Sequence, residues 1–543
     1  MTTLAAPQHE RPQDSARITP AGLLRRRAQQ TPGALALLDP PNRRSLVPPA
    51  SRLPSAASLP SAPRRLSYGD ADAAVDALAA YFGHLGLMPG DCLAVQLPNL
   101  IESPLTLLGA WRAGLTVAAI PMLWRRTEIA RVCDMLEPAG LVGMSTYGGD
   151  RPAELLRDVA ATRLSVRFVM GFGPDLPDGV SSLDDAILDG PAPGFVPRAN
   201  SGPALVTFTA RASAALVPLF RHDDDLLLQG AMAVIALGLD RHDILLNAYP
   251  LTGPVGIAAG LAPWLIGGTA LVQHDPFDYD VLVQQILSTD ATATALPGTV
   301  LDRFTEDRIF ADPQCTLRHV GRVWAAPKLA ERAGSGAPED RGAFDLYPLG
   351  DLACLIERAG NPADRGTLPS GAFEIADGRD VTAFVETALT NGTETSAKDL
   401  AVRGPLVPRG RAHGPAARDA EGFVKTGLHG EARNGRLLVS RDPELVYHGG
   451  FTIAASELDG LYQAFPEFLD AAAFVLPDPV VGDRIFAAVV PAPSVGVSLA
   501  ALHDFLAERS VAPYKFPDKL LVVQEIPRDE AGAVLREAIL KQV

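Results

Sequence analysis

From Leu66 to about residue 330 the chain alternates between two hydrophobic periods, and this constrains its fold more than any other feature. The run LSYGDADAAVDALAAYFGHLGL sets Ala73, Ala74, Leu78, Ala79, Phe82 and Leu85 at helical spacing. MPGDCLAVQLPN then reads as a turn and a strand, followed by a helix from Ser103 to Ala113 and a strand from Thr116 to Pro121. Strand and helix in steady alternation predict parallel sheets layered with helices, an α/β architecture.

The pattern changes twice afterwards. Residues 397–440 hold short alternating strands (LAVRG, GFVKTG, GRLLVS) between glycines and charged turns, which predicts a small β subdomain. Beyond Arg441, a helix over 455–464, strands over 471–475 and 485–490, a helix over 499–508 and a strand over 519–523 predict an α+β unit of about 100 residues. A chain of 543 residues exceeds one compact core. The expected division is a loose leader (1–20), a large N-terminal domain (21–440) and a small C-terminal domain (441–543). Within the first, 40–63 (PPNRRSLVPPASRLPSAASLPSAP) is rich in Pro, Ser and Ala and reads as an exposed insertion with little to bury.

Composition narrows the function. Apolar residues are 47% and charged residues 20%, a globular balance, and 48 Lys plus Arg against 63 Asp plus Glu give a net charge of −15. That disfavours nucleic acid or an anionic membrane as the main partner. Cys92, Cys133, Cys315 and Cys354 are far apart, with no CxxC, so neither a disulfide framework nor a zinc site is readable and a reducing cytoplasm fits. The N-terminus has no signal-peptide core. Gly256 to Gln273 is uncharged and of spanning length, but Gly256, Gly260, Pro263, Gly267 and Gly268 break it into a helix, a turn and a buried strand. His222, Asp223, Asp224 and Asp225 read as the acidic opening of a helix rather than a metal cluster.

Several segments, in order, resemble the superfamily of acyl-CoA synthetases, nonribosomal-peptide adenylation domains and luciferases. They are the run from Leu66 to Asn99, GFVKTG, GGFTIAASELD, VLPDPVVGDRIFAAVVP and PYKFPDKLLVVQEIPRDEAGAVLRE. The resemblance implies a large N-terminal domain of two α/β sheets plus a β subdomain, and a mobile C-terminal domain. It also implies two half-reactions: a carboxylate attacks ATP to give an acyl-adenylate, then a thiol, CoA or a carrier, displaces AMP. ATP and magnesium would be the cofactors, and a small carboxylic acid or acyl thioester the partner.

The first half-reaction gathers negative charge on carboxylate and triphosphate, so cations and N–H donors must converge there. At the position of the family's TSGTTGxPKG loop this chain has Thr209-Ala210-Arg211-Ala212-Ser213-Ala214-Ala215-Leu216-Val217-Pro218. Both interior glycines and the lysine are gone, which predicts another loop shape; Thr209 and Ser213 keep hydroxyls, and Arg211 or Arg221 is the candidate substitute cation. The YGxTE motif matches Tyr347-Pro348-Leu349-Gly350-Asp351. The resemblance puts adenine on Tyr347 and magnesium on Asp351, while the residues alone read equally as a Tyr-Pro turn with a solvated aspartate. TGD becomes Thr426-Gly427-Leu428, and leucine cannot accept from ribose hydroxyls. The C-terminal catalytic lysine aligns with Ala533 in IPRDEAGAVLR.

Arg441 matches an arginine that contacts nucleotide in the family, and reads equally as a salt-bridge residue at a domain junction. The resemblance places the hinge two residues after that arginine, on Pro443, whose fixed φ would restrict rotation. Gly449 and Gly450 match the paired glycines beside the pantetheine tunnel, or form an ordinary tight turn. Glu457 reads as capping or solvating a helix. The acyl pocket falls among residues 247–256 and 294–300. Two readings follow: a diverged member no longer performing ordinary ATP-dependent activation, serving as a ligand-binding or assembly subunit, or an active acid–thiol ligase using Arg211, Lys425 and Asp351.

Overall fold

The computed structural model describes residues 18–47, 64–191, 195–211, 214–324, 342–358, 366–377, 380–390, 398–408, 418–478, 481–493 and 496–542. Ser213, most of the 40–63 insertion and the leader up to residue 17 lie outside them, as do the side chains of Arg211 and Arg441.

Among the described residues the strands form four sheets. A seven-stranded sheet runs in the order 181–182, 168–172, 140–144, 92–96, 116–119, 205–211, 214–221, parallel except for the last pair. An eight-stranded sheet runs 353–358, 343–349, 319–323, 293–297, 244–247, 270–273, 35–38, 65–67, parallel except at its two edges. The architecture is mixed α/β, as the alternating periods predict.

The alternation works through burial. The helix Tyr68–His84 opens on a Ser67 capping box and buries Tyr68, Ala71, Val75, Leu78 and Phe82, five residues spaced three or four apart along one face. Against it the helix Glu102–Arg112 is buried along its whole length. Gly109 is the contact point: a Cβ there would stand 2.8 Å from Leu78 Cβ. One apolar core joins these helices to both parallel sheets and to the third sheet.

Residues 256–273 divide as expected. Two π-helical turns, Ile257–Leu261 and Trp264–Gly268, lead into the buried strand Ala270–Gln273. No helix among the described residues is long and apolar enough to cross a membrane. The insertion differs from its expectation at its start. Arg43–Leu46 is a short helix, and Arg43, Leu46 and Val47 are buried because Arg43 meets two carboxylates in the core.

The third sheet is antiparallel, in the order 367–369, 436–441, 424–433, 398–403, 380–390, 371–377. It therefore reaches back to Thr367, past the 397–440 stretch read from sequence. The chain leaves it at Arg441 and enters the fourth sheet at Leu445, through a turn in which Leu445 N donates to Asp442 O (3.0 Å) and Glu444 N to Asp442 Oδ1 (2.9 Å). Pro443 sits at the second position of that turn, where φ near −65° is wanted. The fourth sheet (451–454, 445–448, 482–491, 468–478, with 519–522 beside 482–491) carries the helices Ala455–Gln463 and Leu499–Glu508 over a core of its own.

Candidate nucleotide and acyl site

The segment aligned with the phosphate loop is a β-hairpin. Leu205–Arg211 and Ala214–Arg221 pair antiparallel, with Thr209 opposite Val217 and Arg211 opposite Ala214, leaving two residues between the strands. Without interior glycines the backbone has no ready access to positive φ, and the apolar run AALVPLF continues a strand instead of curling.

Thr209 is buried and its hydroxyl donates to a carboxylate oxygen of Asp351, from which Thr452 Oγ1 lies 3.5 Å away. Asp351 is held by the turn before it. Gly350 has φ 58°, and a Cβ there would stand 2.3 Å from Thr426 O, so only glycine lets the aspartate turn pack on the strand Val424–Arg433.

Arg221 is buried beside Asp351 but directed at backbone, donating to the carbonyls of Leu352 (2.7 Å) and Asp351. Burial pulls its pKa down to about 10 against the upward pull of Asp225 and Asp351. Its N–H groups tie hairpin to turn. His222 and Asp225 form the capping box of the helix Asp223–Leu237, a structural use of the acidic run.

Tyr347 is buried, and its ring lies nearly parallel to Trp324, 11° between planes and 6.4 Å between centroids. The indole Nε1 donates to Asp345 (2.8 Å), which also takes two hydrogen bonds from Arg322. Burial raises the Tyr347 phenol well above its ordinary range, helped by Asp345 and Glu357. Leu428 packs into the main core, and its N–H donates to Thr426 Oγ1 (3.0 Å). Lys425 is exposed and paired with Asp399 at 2.6 Å.

From the C-terminal unit, the turn His448–Phe451 comes up to this point. Gly449 and Gly450 have φ 57° and 85°, the two positive values of a two-residue hairpin turn, so backbone geometry alone requires glycine at both. Tyr447 Oη donates to Gly427 O (3.0 Å). Ala533 is elsewhere: it is exposed, its carbonyl accepts from Asp529 N and its N–H donates to Asp529 Oδ1, inside the C-terminal unit.

A small cavity of about 30 Å³, room for a water or two, lies where the strands Cys92–Gln96 and Thr116–Ala119 end. Val95, Leu97, Leu107, Pro250 and Leu251 give it an apolar wall, with Asn99, Ser103 and Thr252 as its polar groups. Asn99 fixes the 249–251 segment by donating to Tyr249 O (2.7 Å) and accepting from Leu251 N (3.3 Å).

The structure thus brings Thr209 and Asp351 together, sets Tyr347 and Leu428 in one core, and leaves Ala533 apart. Sequence reasoning missed Trp324, Thr452 and a charge cluster that joins the two units. Lys515 Nζ meets Glu128 Oε1 at 2.7 Å and Glu457 Oε1 at 3.1 Å, and Arg131 meets the same Glu457 oxygen. Glu457, expected to cap or solvate a helix, stands in the first turn of Ala455–Gln463 and also bridges Lys515 and Arg131. Lys515 and Glu128 are 387 positions apart, so no spacing rule links them.

Two parallel sheets, an antiparallel sheet and a small α+β unit behind a turn, gathered on Asp351, define the class. The chain belongs to the superfamily of adenylate-forming enzymes, and residues 24–210 match the family model of AMP-binding enzymes. Among particular relatives, a salicylyl-CoA synthase / salicylate adenylyltransferase from a Streptomyces species is 28% identical, over 87% of this chain and 88% of that protein. A 2-hydroxy-7-methoxy-5-methyl-1-naphthoate–CoA ligase of Streptomyces carzinostaticus is 26% identical, over 91% of each. In fold the chain is similar to the amide bond synthetase McbA from Marinactinospora thermotolerans, with TM-score 0.75 and 19% identity over 97% of this chain and 99% of that one.

Proposed function

We propose that this chain is a diverged acyl-CoA-synthetase-like protein that binds a small aryl carboxylic acid or its thioester and no longer drives ordinary ATP-dependent activation. The observation that carries this reading is the state of Asp351, the one acidic residue matching the magnesium position. Its carboxylate accepts from Thr209 of the closed hairpin. The cation buried beside it, Arg221, donates to backbone carbonyls.

Magnesium triphosphate fits these residues poorly. The hairpin offers no glycine cradle, Leu428 presents no acceptor to a ribose, and Ala533 has no charge to bring. Each lost donor costs about 10²–10³ in rate, although such losses do not multiply independently. The aryl-acid assignment rests on the relatives, which are named for salicylate and a 2-hydroxynaphthoate.

The second reading, an active ligase of an acid with CoA or a carrier thiol, draws on the same relatives and on the retained Asp351. It has to do without Lys425, which is paired with Asp399. A pyrophosphate-release assay over a panel of aryl acids tests both. The expected result is no release above the no-enzyme rate, together with saturable binding of at least one acid by calorimetry. Brisk release that disappears in Asp351→Ala would replace this reading with the ligase.

A further inference from the structure

The surface between the two units is held in an unusual way. The helix Arg126–Leu136 lies on the outer face of the seven-stranded sheet, anchored by Ile129, Val132 and Cys133. Its other side meets the C-terminal unit. Thr127 N and Oγ1 donate to the carbonyls of Ser510 (3.4 Å) and Arg509 (2.9 Å). Glu128 Oε1 accepts from Lys515 Nζ (2.7 Å) and from Ala512 N (3.4 Å). Arg131 completes a row of alternating charge, Glu128–Lys515–Glu457–Arg131, that sums to zero.

Two kinds of contact divide the work. Phe451 and Tyr514 stack at 4.1 Å between centroids and pack with Trp124, Phe208 and Leu216 of the N-terminal unit, which supplies adhesion without direction. The charge row supplies direction. Lys515 and Glu128 are each only 3% exposed, and Lys515 is the cation that Glu128 faces there. Burial, with Glu128 and Glu457 nearby, also keeps the Tyr514 phenol neutral.

We infer that the buried part of this row, Glu128 against Lys515, is a latch that selects one resting pose of the C-terminal unit, the pose in which the 449–452 turn stands over Asp351 and closes the candidate site. The closing function rests on the reading above; the latch itself does not. Any other orientation takes Lys515, which keeps Glu457 within its own unit, away from Glu128, so the pair discriminates between poses even where it adds little net stability.

Hydrogen exchange on the full-length protein tests this, comparing wild type, Lys515→Met and Lys515→Met/Glu128→Met. The single change leaves Glu128 without its cation in the resting pose, with only backbone N–H donors, and exchange in peptides covering 125–131 and 509–512 is expected to speed up by about tenfold or more. Strands Phe468–Asp478 and Gly482–Pro491 should keep wild-type protection. The double change removes both charges, leaves Glu457 paired with Arg131, and is expected to return exchange near to wild type. Wild-type exchange in the single variant overturns the latch. So does loosening of those two strands, which would make the pair a fold support, or a double variant as loose as the single. Brisk ATP turnover by the wild type would remove the closing function while leaving the exchange result to decide the latch.

Discussion

Asp39 and Glu102 share one guanidinium. Arg43 Nη1 donates to Asp39 Oδ2 (2.8 Å) and to Glu102 Oε2 (2.9 Å), while Nη2 reaches the other Glu102 oxygen. Burial pushes Glu102 up, but the charge and forked bonds of Arg43, with Arg64 behind, outweigh it and hold the carboxyl below its ordinary range. Asp39 is left with the smaller share. Burial and then the Glu102 charge lift it from 3.8 to about 6. A folded-state pKa above the unfolded value means that the native protein keeps this proton longer. Its contribution is full below about pH 3.8 and is lost as pH rises to about 6, at roughly 1.4 kcal/mol per unit, some 2–3 kcal/mol in all. Urea unfolding of wild type and Asp39→Asn at several pH values between 4 and 7 should show the wild type losing ground to the variant by about that amount. A difference that stays level with pH would mean Asp39 titrates as an ordinary carboxyl.

At the scale of elements, the hairpin 205–221 and the turn 347–351 are tied by the Thr209 hydroxyl and the Arg221 guanidinium. Thr209→Val keeps the shape and removes a charge-assisted bond from a half-buried carboxylate, so unfolding free energy should drop by about 1–2 kcal/mol, read from denaturant midpoints. A loss under about 0.5 kcal/mol would mean Asp351 is solvated and free for a cation, which would favour the ligase reading. This element was half legible in the sequence. Missing glycines in TARASAALVP predicted another loop shape, because positive φ is a local property, yet nothing local said that the strands would close to two residues. The same division runs through the chain. The period of Tyr68–His84 announces its helix and buried face, whereas the start of the antiparallel sheet at Thr367 depends on pairing with Arg436–Leu438, 69 residues away from Thr367 at Arg436, which its own residues do not specify. Trp324 against Tyr347, and Lys515 against Glu128, were out of reach because each joins segments that only the folded chain makes neighbours.

For the molecule as a whole, the two halves of the family's chemistry demand different things. Activation needs positive charge delivered to a triphosphate, and this chain carries −15 overall with its nearest buried cation committed to carbonyls. Acid binding makes no such demand, and the 250–252 turn, within the 247–256 segment read as acyl pocket, sets the Thr252 hydroxyl beside Pro250 and Leu251. A ligand that binds only the native state stabilises it by RT ln(1 + [L]/Kd), about 2.7 kcal/mol at a hundredfold excess over Kd, so thermal shift separates the two demands in one experiment. Magnesium and ATP at about 5 mM should move the midpoint by less than about 1 °C, while a 2-hydroxy aryl acid at saturation raises it by a few degrees. The control is Thr252→Val, in which the acid-induced shift should shrink while the ligand-free midpoint holds, because the hydroxyl lines the cavity and bears no share of the core. A clear upward shift with ATP alone would place a nucleotide where the hairpin, Leu428 and Arg221 leave no room for its charge, and the proposed loss of activation would fall with it.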